Sequence, residues 1–357
     1  MGDVFLEVLE LRHFRNYPRA KFIFGSEGAL IVGRNGSGKS NLLESISFLA
    51  IGKSLRGALD LEVVQEGTAG FGIYAKLGGE GGFRISVVYE RHRGKRIWVD
   101  DHPLQRMSQL FGKFQVVSFS PEEVYLLLRS PAGRRRLLDM LLSQTGGYLW
   151  HWQRYKRALS HRNRLLSQGT TTRRELRPWD VQVAQFGSEI MRKRRELVDW
   201  MQDKIRTFYG LLCGDEDIAV SYSPSLPPTD GDLPEGFLES LRGTWEQERR
   251  FRHTMIGPHR DDLQVTIGGR DLRTASQGQA KSFLLAWKLG EALFFYERGG
   301  SYPALLMDEV FSDLDTGRAE AMARLLVGKG QCFVTAISED SLPTPVRGLP
   351  VVHLGGG

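Results

Sequence analysis

The stretch Gly33-Arg34-Asn35-Gly36-Ser37-Gly38-Lys39-Ser40 has the form G-x-x-x-x-G-K-[ST], the phosphate-binding loop of nucleoside triphosphatases. The apolar run 29–32 before it predicts a buried strand, and the spacing of the apolar residues in 39–50 predicts a helix. Such a loop turns successive backbone N–H groups toward phosphate oxygens, and the helix N-terminus adds partial positive charge. The whole loop is therefore expected to bind ATP, with Lys39 on the β- and γ-phosphates and Ser40 as a Mg²⁺ ligand.

The composition is that of a soluble globular protein large enough for two lobes. The chain has 357 residues, of which 41% are hydrophobic and 25% charged. No apolar run approaches the roughly 20 residues that span a bilayer, and the N-terminus lacks the features of a signal peptide. Two cysteines, Cys213 and Cys332, exclude a disulfide framework and a cysteine metal cluster. We expect a cytoplasmic protein without a membrane partner.

Positive charge is concentrated in the middle of the chain. Residues 129–206 contain 18 Lys and Arg against 7 Asp and Glu, whereas the net charge of the whole chain is only +6. A basic segment between slightly acidic ends favours a polyanion-binding lobe, although a solvated helical surface has the same composition.

The pattern of elements predicts an α/β protein interrupted by a helical insert. Strands are expected at 4–11, 21–24, 29–32, 71–77, 83–89, 97–99, 114–119, 263–267, 270–272, 304–307 and 331–335. Helices are expected at 39–50, 148–167, 175–212, 235–252, 275–298 and 317–327, with further helix starts at Pro121 and Pro131. We therefore divide the chain into residues 1–125, a mainly helical basic insert at 126–252, and residues 253–357. Heptads are not sustained, so no long coiled coil is expected.

A second acidic motif follows the predicted strand 304–307. Asp308 ends this apolar run and is expected to orient Mg²⁺, and Glu309 is expected to act as the general base that polarises the attacking water. With Lys39, these two residues form the predicted catalytic set. An apolar run that ends in Asp-Glu is weakly specific by itself and gains its meaning from the neighbouring motifs.

Two flanking stretches resemble motifs of ABC-type ATPases. Ser276-Gln277-Gly278-Gln279 opens the long helix 275–298 and resembles the signature motif, and Ser312-Asp313-Leu314-Asp315 resembles the D-loop. In that family the signature motif contacts the γ-phosphate of the nucleotide held by the other subunit. The resemblance implies that Ser276, Gln277, Gly278, Gln279 and Asp313 bind ATP across a homodimer interface, and that ATP binding drives the dimer together. The fold it implies is an ABC-type P-loop ATPase head.

The long interval between the P-loop and the signature-like stretch makes the resemblance more specific. Lys39 and Ser276 are 237 positions apart, which is far more than in transporter subunits and is similar to chromosome-maintenance and Rad-type repair ATPases. The stretches 11–17, 130–139 and 257–263 then resemble motifs of the RecF family, in the family's order and from end to end. The resemblance implies a weak DNA-dependent ATPase that acts in recombinational repair in the bacterial cytoplasm, on the nucleoid when DNA-bound. It implies binding to double-stranded DNA, single-stranded DNA and gapped junctions, and work with RecR, RecO and RecA to replace single-strand-binding protein.

Two departures from the ABC pattern leave alternatives open. The expected switch histidine is absent, because Thr335-Ala336 ends the strand 331–335, which implies slow hydrolysis. A Q-loop glutamine is not evident, and Gln115 is the one candidate. The alternatives are a transporter ATPase subunit and an ATP-binding DNA clamp with negligible hydrolysis.

Several basic and aromatic residues have two interpretations. Lys53 and Arg56 follow the P-loop helix and are candidates for nucleotide or DNA contact. Arg154, Lys156 and Arg157 lie among Trp150, Trp152 and Tyr155, a mixture that suits DNA but is also common in helix cores. Arg134–Arg136 suit either binding of phosphate or of the ATP base, or a solvated helix. For His259–Asp262 we favour a structural or interface role over a metal or catalytic cluster.

Overall fold

The structure is a computed structural model that describes residues 4–214, 216–227, 232–312, 314–340 and 342–355. The chain forms two compact units, each built from separate segments. The first unit comprises Met1–Val124, Thr207–Asp215 and Lys281–Gly357, and the second comprises Tyr125–Arg206 and Glu216–Ala280. These limits differ from the predicted division after residues 125 and 252, because the strand Asp262–Ile267, which follows residue 252, pairs with the strand Ile218–Ser223 of the second unit.

The described residues contain the following elements. The strands are Phe5–Phe14 (β1), Tyr17–Ile23 (β2), Gly28–Gly33 (β3), Gly70–Gly78 (β4), Phe83–Glu90 (β5), Gly94–Val99 (β6), His102–Pro103 (β7), Val116–Phe119 (β8), Ile218–Ser223 (β9), Asp262–Ile267 (β10), Arg270–Asp271 (β11), Ala304–Met307 (β12), Cys332–Ala336 (β13) and Val351–Leu354 (β14). The helices are Lys39–Ile51 (α1), Pro121–Arg129 (α2), Pro131–Ser143 (α3), Tyr148–Ser167 (α4), Arg173–Cys213 (α5), Leu233–Gly243 (α6), Trp245–Phe251 (α7), Gln277–Gly299 (α8), Thr316–Leu326 (α9) and Thr344–Arg347 (α10). Within these ranges, none of the helices is both long and apolar enough to cross a bilayer.

A parallel sheet in the first unit carries the motif strands. Its order is β14-β3-β13-β12-β8, and every neighbouring pair in it is parallel. Strands β3, β12 and β13 are buried along almost their whole length, which explains why their sequences are continuous apolar runs. Because parallel strands end at one edge of a sheet, the residues that follow β3 and β12 meet at that edge.

An antiparallel sheet packs beside the P-loop helix in the same unit. Its order is β2-β1-β4-β5-β6-β7, and α1 contacts strands of both sheets. Phe14 of β1, Phe48 of α1 and Phe71 of β4 meet edge to face, with ring centroids 5.5–5.7 Å apart. Aromatic burial of this kind contributes beyond the area removed from water, by about 1 kcal/mol per pair. The cluster fixes the P-loop helix against the sheet.

The second unit uses arginines as core residues. It combines the antiparallel sheet β11-β10-β9 with α3, α4, α6, α7 and most of α5. The Arg134 guanidinium makes paired hydrogen bonds of 2.8 and 2.7 Å to Asp262, and it is almost fully buried. Arg194 is likewise buried against Asp139, and Arg162 against Glu248. Neither interpretation offered for Arg134 from the sequence is therefore correct: it is neither a solvated residue nor free to bind phosphate.

The stretch 259–262 is part of this buried network. The Nδ1 atom of His259 lies 2.6 Å from the Tyr155 hydroxyl, and its Nε2 lies 3.2 Å from the Thr254 carbonyl oxygen. Burial lowers the pKa of His259 to about 4, so the imidazole is neutral near pH 7. Asp261 accepts hydrogen bonds from Ser225 and from the Tyr222 hydroxyl. These contacts support the structural interpretation over a metal or catalytic cluster.

Several elements differ from the sequence-based expectation. The predicted helix 235–252 is two helices, α6 and α7, which are separated at Thr244. Strands β9 and β14 were not predicted. β9 pairs with β10, and β14 adds to the outer side of β3 in the parallel sheet. Helix α4 has the predicted bounds, and the P-loop strand and helix begin and end within one residue of theirs.

Candidate functional site

The P-loop forms a tight turn between β3 and α1. Gly33 ends the strand, Lys39 begins the helix, and Gly36 and Gly38 have φ values of 82° and 103°. A Cβ atom at Gly38 would lie 2.6 Å from Asn16 Nδ2 and 2.8 Å from the Tyr17 hydroxyl, so no larger residue fits there. Among the described side chains, none caps the N-terminus of α1. Its first backbone N–H groups are thus available to an anion.

Lys39 is buried and bonded within the loop that it belongs to. Its Nζ atom donates to the Gly33 carbonyl at 2.8 Å and to the Arg34 carbonyl at 3.2 Å. It also lies 3.4 Å from Glu309 Oε1, which makes an ion pair between two residues of the predicted catalytic set. A lysine held over the loop in this way places positive charge where phosphate oxygens would lie.

The acidic motif meets the P-loop at the edge of the parallel sheet. Ser40 Oγ donates to Asp308 Oδ1 at 2.9 Å, although the two residues are 268 positions apart. Burial raises the pKa of Asp308, and the hydrogen bonds from Ser40 and Thr335 oppose that rise. A serine hydroxyl and a carboxylate side by side are the hard oxygen ligands that Mg²⁺ prefers. The predicted metal residues therefore fit a Mg²⁺ ion.

Thr335 connects both acidic residues and was missed as a contact by the sequence analysis. Its hydroxyl donates to Asp308 Oδ1 at 2.8 Å and accepts from the Glu309 backbone N–H at 2.9 Å. Glu309 has φ of 48°, in the left-handed region that costs a non-glycine residue about 1–2 kcal/mol. The Thr335 hydroxyl helps to hold Glu309 in this conformation. One signal of this role is visible in the sequence, a polar residue in an otherwise apolar strand.

These residues surround a cavity of about 340 Å³. Its lining includes the predicted residues Asn35, Gly36, Gly38, Lys39, Ser40, Asp308 and Glu309. Arg56 also lines it, with its guanidinium 3.2 Å from a Glu122 carboxylate oxygen. Of the two roles considered for Arg56, nucleotide contact has the closer structural support. Lys53 is exposed just after the Gly52 that ends α1.

A second group of residues supports the P-loop from β1 and β2. The Tyr17 hydroxyl donates to the Gly38 carbonyl at 3.0 Å, and Asn16 donates to the Ser37 carbonyl at 3.3 Å. Arg15 makes two 2.9 Å hydrogen bonds to Glu44, whose side chain is fully buried on α1. Removing one partner of such a pair typically costs about 3–5 kcal/mol. The stretch 11–17 was recognised as a motif, and the structure shows that it holds the loop and its helix.

The signature-like stretch starts α8 and belongs to the second unit. Ser276 Oγ accepts from the Gln279 N–H at 3.1 Å, and Gln279 Oε1 accepts from the Ser276 N–H at 3.0 Å. This reciprocal capping box holds the turn in a fixed form. Ser276, Gln277 and Gly278 are exposed, so their polar groups are available to a ligand. Asp313 of the D-loop lies outside the described residues.

The remaining basic candidates lie on the exposed part of one helix. Arg154, Lys156 and Arg157 of α4 are all exposed, and the Arg154 guanidinium lies 4.2 Å from the centroid of the Trp150 ring. Trp150 is 47% exposed, whereas Tyr155 is fully buried. The aromatic residues of this helix therefore divide between surface and core.

Gln115 does not lie at the nucleotide cavity. It precedes β8, and its carbonyl accepts from the Ala304 N–H at the start of β12. The cavity lies at the opposite ends of these parallel strands, where the Asp308 N–H donates to Phe119. The residues after β8 that reach the cavity are Pro121 and Glu122. Gln115 is therefore in the wrong position for a Q-loop residue.

Comparison with known proteins gives full-length matches. The family model of the RecF/RecN/SMC N terminal domain matches residues 5–345. The DNA replication and repair protein RecF of Bacillus cereus (strain AH820) is 33% identical over 366 residues, covering 99% of this chain and 98% of that protein. RecF of Bacillus cytotoxicus (strain DSM 22905 / CIP 110041 / 391-98 / NVH 391-98) is 33% identical over 368 residues, with the same coverage of each chain.

Solved structures agree with these sequence matches. The recombination mediator protein RecF with ATP, in the RecFOR pathway, matches with a TM-score of 0.87 at 28% identity, over 95% of this chain and 93% of that chain. An Smc head bound to the C-winged helix domain of ScpA matches with a TM-score of 0.53 at 15% identity, over 96% of this chain and 91% of that one, which shows a shared fold. The predicted fold class, an ABC-type ATPase head split by a helical insert, is confirmed. The described residues contain no long coiled coil, in agreement with the prediction.

Proposed function

Because the chain belongs to the family of RecF DNA replication and repair proteins, we propose that it is an ATP-dependent DNA-binding protein of recombinational repair. The observation that carries the proposal is the convergence of Lys39, Ser40, Asp308 and Glu309 on one cavity. The family membership sets aside the transporter alternative.

The cavity suits a nucleoside triphosphate with its metal ion. The backbone N–H groups of the P-loop and the Lys39 ammonium would bind the phosphates, and Ser40 and Asp308 would hold Mg²⁺. When bound there, Mg²⁺ supplies positive charge that offsets the charge on the phosphate oxygens. The ion pair between Lys39 and Glu309 gives way as Lys39 turns to the phosphates, which leaves the Glu309 carboxylate free.

Glu309 is placed to act as the general base in hydrolysis. Its side chain is 34% exposed, so water reaches the carboxylate. The carboxylate accepts a proton from water while the water oxygen bonds to the γ-phosphorus. The bond from that phosphorus to the bridging oxygen breaks and gives ADP and phosphate. No switch histidine follows the strand that ends at Thr335-Ala336, so we propose a weak ATPase that DNA stimulates.

The exposed signature-like turn supports an ATP-dependent homodimer. In this proposal Ser276, Gln277, Gly278, Gln279 and Asp313 of one copy contact the γ-phosphate held by the P-loop of the other. The hydroxyl and backbone groups at the start of α8 suit an anion, and the capping box fixes their geometry in advance. ATP then acts as an interfacial ligand, and hydrolysis releases the dimer.

The proposed binding partners are DNA and other recombination mediator proteins. We propose binding to double-stranded and single-stranded DNA and to gapped junctions, with RecR as a partner and RecO and RecA in the same pathway. The support is the similarity to RecF structures of the RecFOR pathway. Lys53, Arg56, Arg154, Lys156 and Arg157 remain proposed DNA contacts, and the protein would work in the bacterial cytoplasm, on the nucleoid.

A turnover assay with and without gapped DNA tests this function. Stimulated release of phosphate is the expected result, together with DNA affinity that falls steeply as salt increases. Turnover that stays negligible in both conditions, with ATP-dependent DNA binding retained, would favour the non-hydrolysing clamp instead. The non-hydrolysing clamp is a second candidate because the switch histidine is missing from the sequence. DNA affinity that does not respond to ATP or to salt would contradict both.

Thr335→Val is expected to lower kcat by roughly 10- to 100-fold while changing the KM for ATP much less. Valine has nearly the same shape but removes the bond to the Asp308 carboxylate and leaves the Glu309 N–H unpaired, and a hydrogen bond to a charged group contributes about 1.5–3 kcal/mol. Steady-state kinetics measure both constants.

Thr335→Ser is the matched control for that prediction, because it keeps the hydroxyl and removes only a methyl group. Serine is expected to restore most of kcat. Equal losses in the valine and serine variants would show that Thr335 acts through packing and does not position the acidic residues.

A further inference from the structure

A cluster of arginines in the second unit belongs to none of the motifs identified from the sequence. Arg249 and Arg250 lie in the last turn of α7, and Arg252 follows the helix with φ of 60°, in the left-handed region. Together with Gly169 and Glu246 they line an open cleft of about 460 Å³. We call this feature the arginine cleft.

The three arginines lack counterions within the described part of the chain. All three are exposed, and none of their guanidinium groups makes an ion pair or hydrogen bond with another described residue, including Glu246 of the same cleft. This is unlike Arg134, Arg162 and Arg194 of the same unit, each of which is buried against a carboxylate. Three like charges around one cleft repel one another, so an anionic ligand would relieve an unfavourable arrangement.

The geometry of the cleft is consistent with an extended polyanion. The chain reversal at Arg252 brings its guanidinium to Gly169, where an added Cβ atom would lie 3.8 Å from Nη2. Arg173 contacts the same helix, with 5.8 Å between its guanidinium and the centroid of the Trp245 ring. Guanidinium groups bind phosphate oxygens through two parallel hydrogen bonds, and several in a row suit successive phosphates.

An exposed aromatic ring favours nucleic acid over an acidic protein. Phe251 lies between Arg250 and Arg252 in the sequence and is 53% exposed, with the Arg250 guanidinium 5.8 Å from its ring centroid. Surfaces that bind single strands combine basic groups for the backbone with aromatic rings on which bases stack. An acidic protein surface would need the charges but not the ring.

A simpler explanation covers part of the arrangement. Cations near a helix C-terminus interact favourably with the helix dipole, by about 0.3–1 kcal/mol each. That effect explains a basic residue at the end of α7. It does not explain an open cleft with three unpaired guanidinium groups and an exposed ring beside them.

We propose that the arginine cleft binds the sugar–phosphate backbone of a DNA strand. The proposal rests on the proposed DNA-binding function and adds a contact surface to it, outside the five basic residues named from the sequence. Phe251 stacks on a base where that strand is unpaired.

The test compares two triple variants that change net charge equally. Arg249→Ala/Arg250→Ala/Arg252→Ala removes the cleft. Arg84→Ala/Arg93→Ala/Arg96→Ala is the control, since each of these arginines already lies within 2.6–3.6 Å of a carboxylate oxygen. Fluorescence anisotropy with the full chain measures affinity for single-stranded and duplex oligonucleotides over a salt series.

The cleft variant is expected to bind DNA roughly 10- to 100-fold more weakly at 0.1 M salt. Loss of three phosphate contacts would also reduce the slope of log affinity against log salt by about 2–3. The single variant Arg250→Ala, expected to reduce the slope by slightly less than 1, covers the case in which the triple variant does not fold. Phe251→Ala should weaken single-strand binding at least about fivefold and leave duplex binding unchanged.

Each outcome bears on a separate statement. An unmodified protein that binds no DNA would overturn the proposed function and this inference with it. If the unmodified protein shows a steep slope of log affinity against log salt and the cleft variants show the same slope, only the assignment of DNA to the arginine cleft is overturned. Equal losses in both triple variants would show a net-charge effect and would also overturn it. An unchanged single-strand affinity in Phe251→Ala would refute the stacking role.

Discussion

A Lys39→Met variant is expected to bind ATP at least about 100-fold more weakly than the unmodified protein. Lys39 is buried in the P-loop and supplies the one ammonium group among the described residues that line the cavity. Truncating one partner of a buried, hydrogen-bonded charge pair costs about 2–5 kcal/mol, and 2.7 kcal/mol corresponds to 100-fold. Isothermal titration calorimetry with ATP measures the loss.

A control and a fold check accompany the Lys39 variant. Lys76→Met makes the same chemical change at an exposed position of β4, where Lys76 pairs with Glu7 at 2.8 Å, and it should bind ATP normally. Near-ultraviolet circular dichroism should show intact packing in both variants. ATP affinity retained in Lys39→Met would refute the assignment of this cavity to the nucleotide.

The second large effect is expected from Glu309→Gln, which should hydrolyse ATP at least about 100-fold more slowly. An amide cannot accept the proton of the attacking water, and general-base catalysis contributes about 10²- to 10⁴-fold. The variant also loses its ion pair with Lys39, so ATP binding should be retained or strengthened. The ATP-bound dimer should therefore accumulate, as single-turnover kinetics and size-exclusion chromatography would show.

Glu7→Gln is the matched control for Glu309→Gln. Glu7 is a surface carboxylate of the same unit whose partner is Lys76, so its amide variant should keep the unmodified turnover rate. Unchanged turnover in Glu309→Gln would show that another group acts as the base. Slow turnover without accumulation of the dimer would show that Glu309 acts in hydrolysis but that bound ATP does not hold the proposed homodimer together.

The parts of the fold that were predictable from the sequence are those with local signals. The strand 29–32 is a continuous apolar run because β3 lies inside a parallel sheet, and α1 follows from its apolar spacing and the glycine turn. Strand β14 has no such signal, since every second residue of it is exposed, and it exists because its backbone pairs with β3. The division into α6 and α7 likewise has only Gly243 as a marker.

Site residues were predictable from the sequence where a single local motif includes them. Contacts between segments that are distant in the sequence were not predictable. The sequence identified Lys39, Ser40, Asp308 and Glu309 by their motifs. It could not show that Thr335 bonds to both acidic residues across 26–27 positions, since that contact depends on the order of strands in the sheet. The same limit applies to Arg134, because Asp262, whose carboxylate pairs with it, lies 128 positions away along the chain.

Nucleotide-dependent self-association is the centre of this account, and sedimentation velocity with and without ATP and Mg²⁺ tests it most directly. The unmodified protein should sediment as a monomer without nucleotide and as a dimer with it. Ser276→Arg, which changes an exposed residue at the start of α8, should bind ATP yet remain monomeric. A monomer at saturating ATP, or a dimer that forms equally well in Ser276→Arg, would contradict the account.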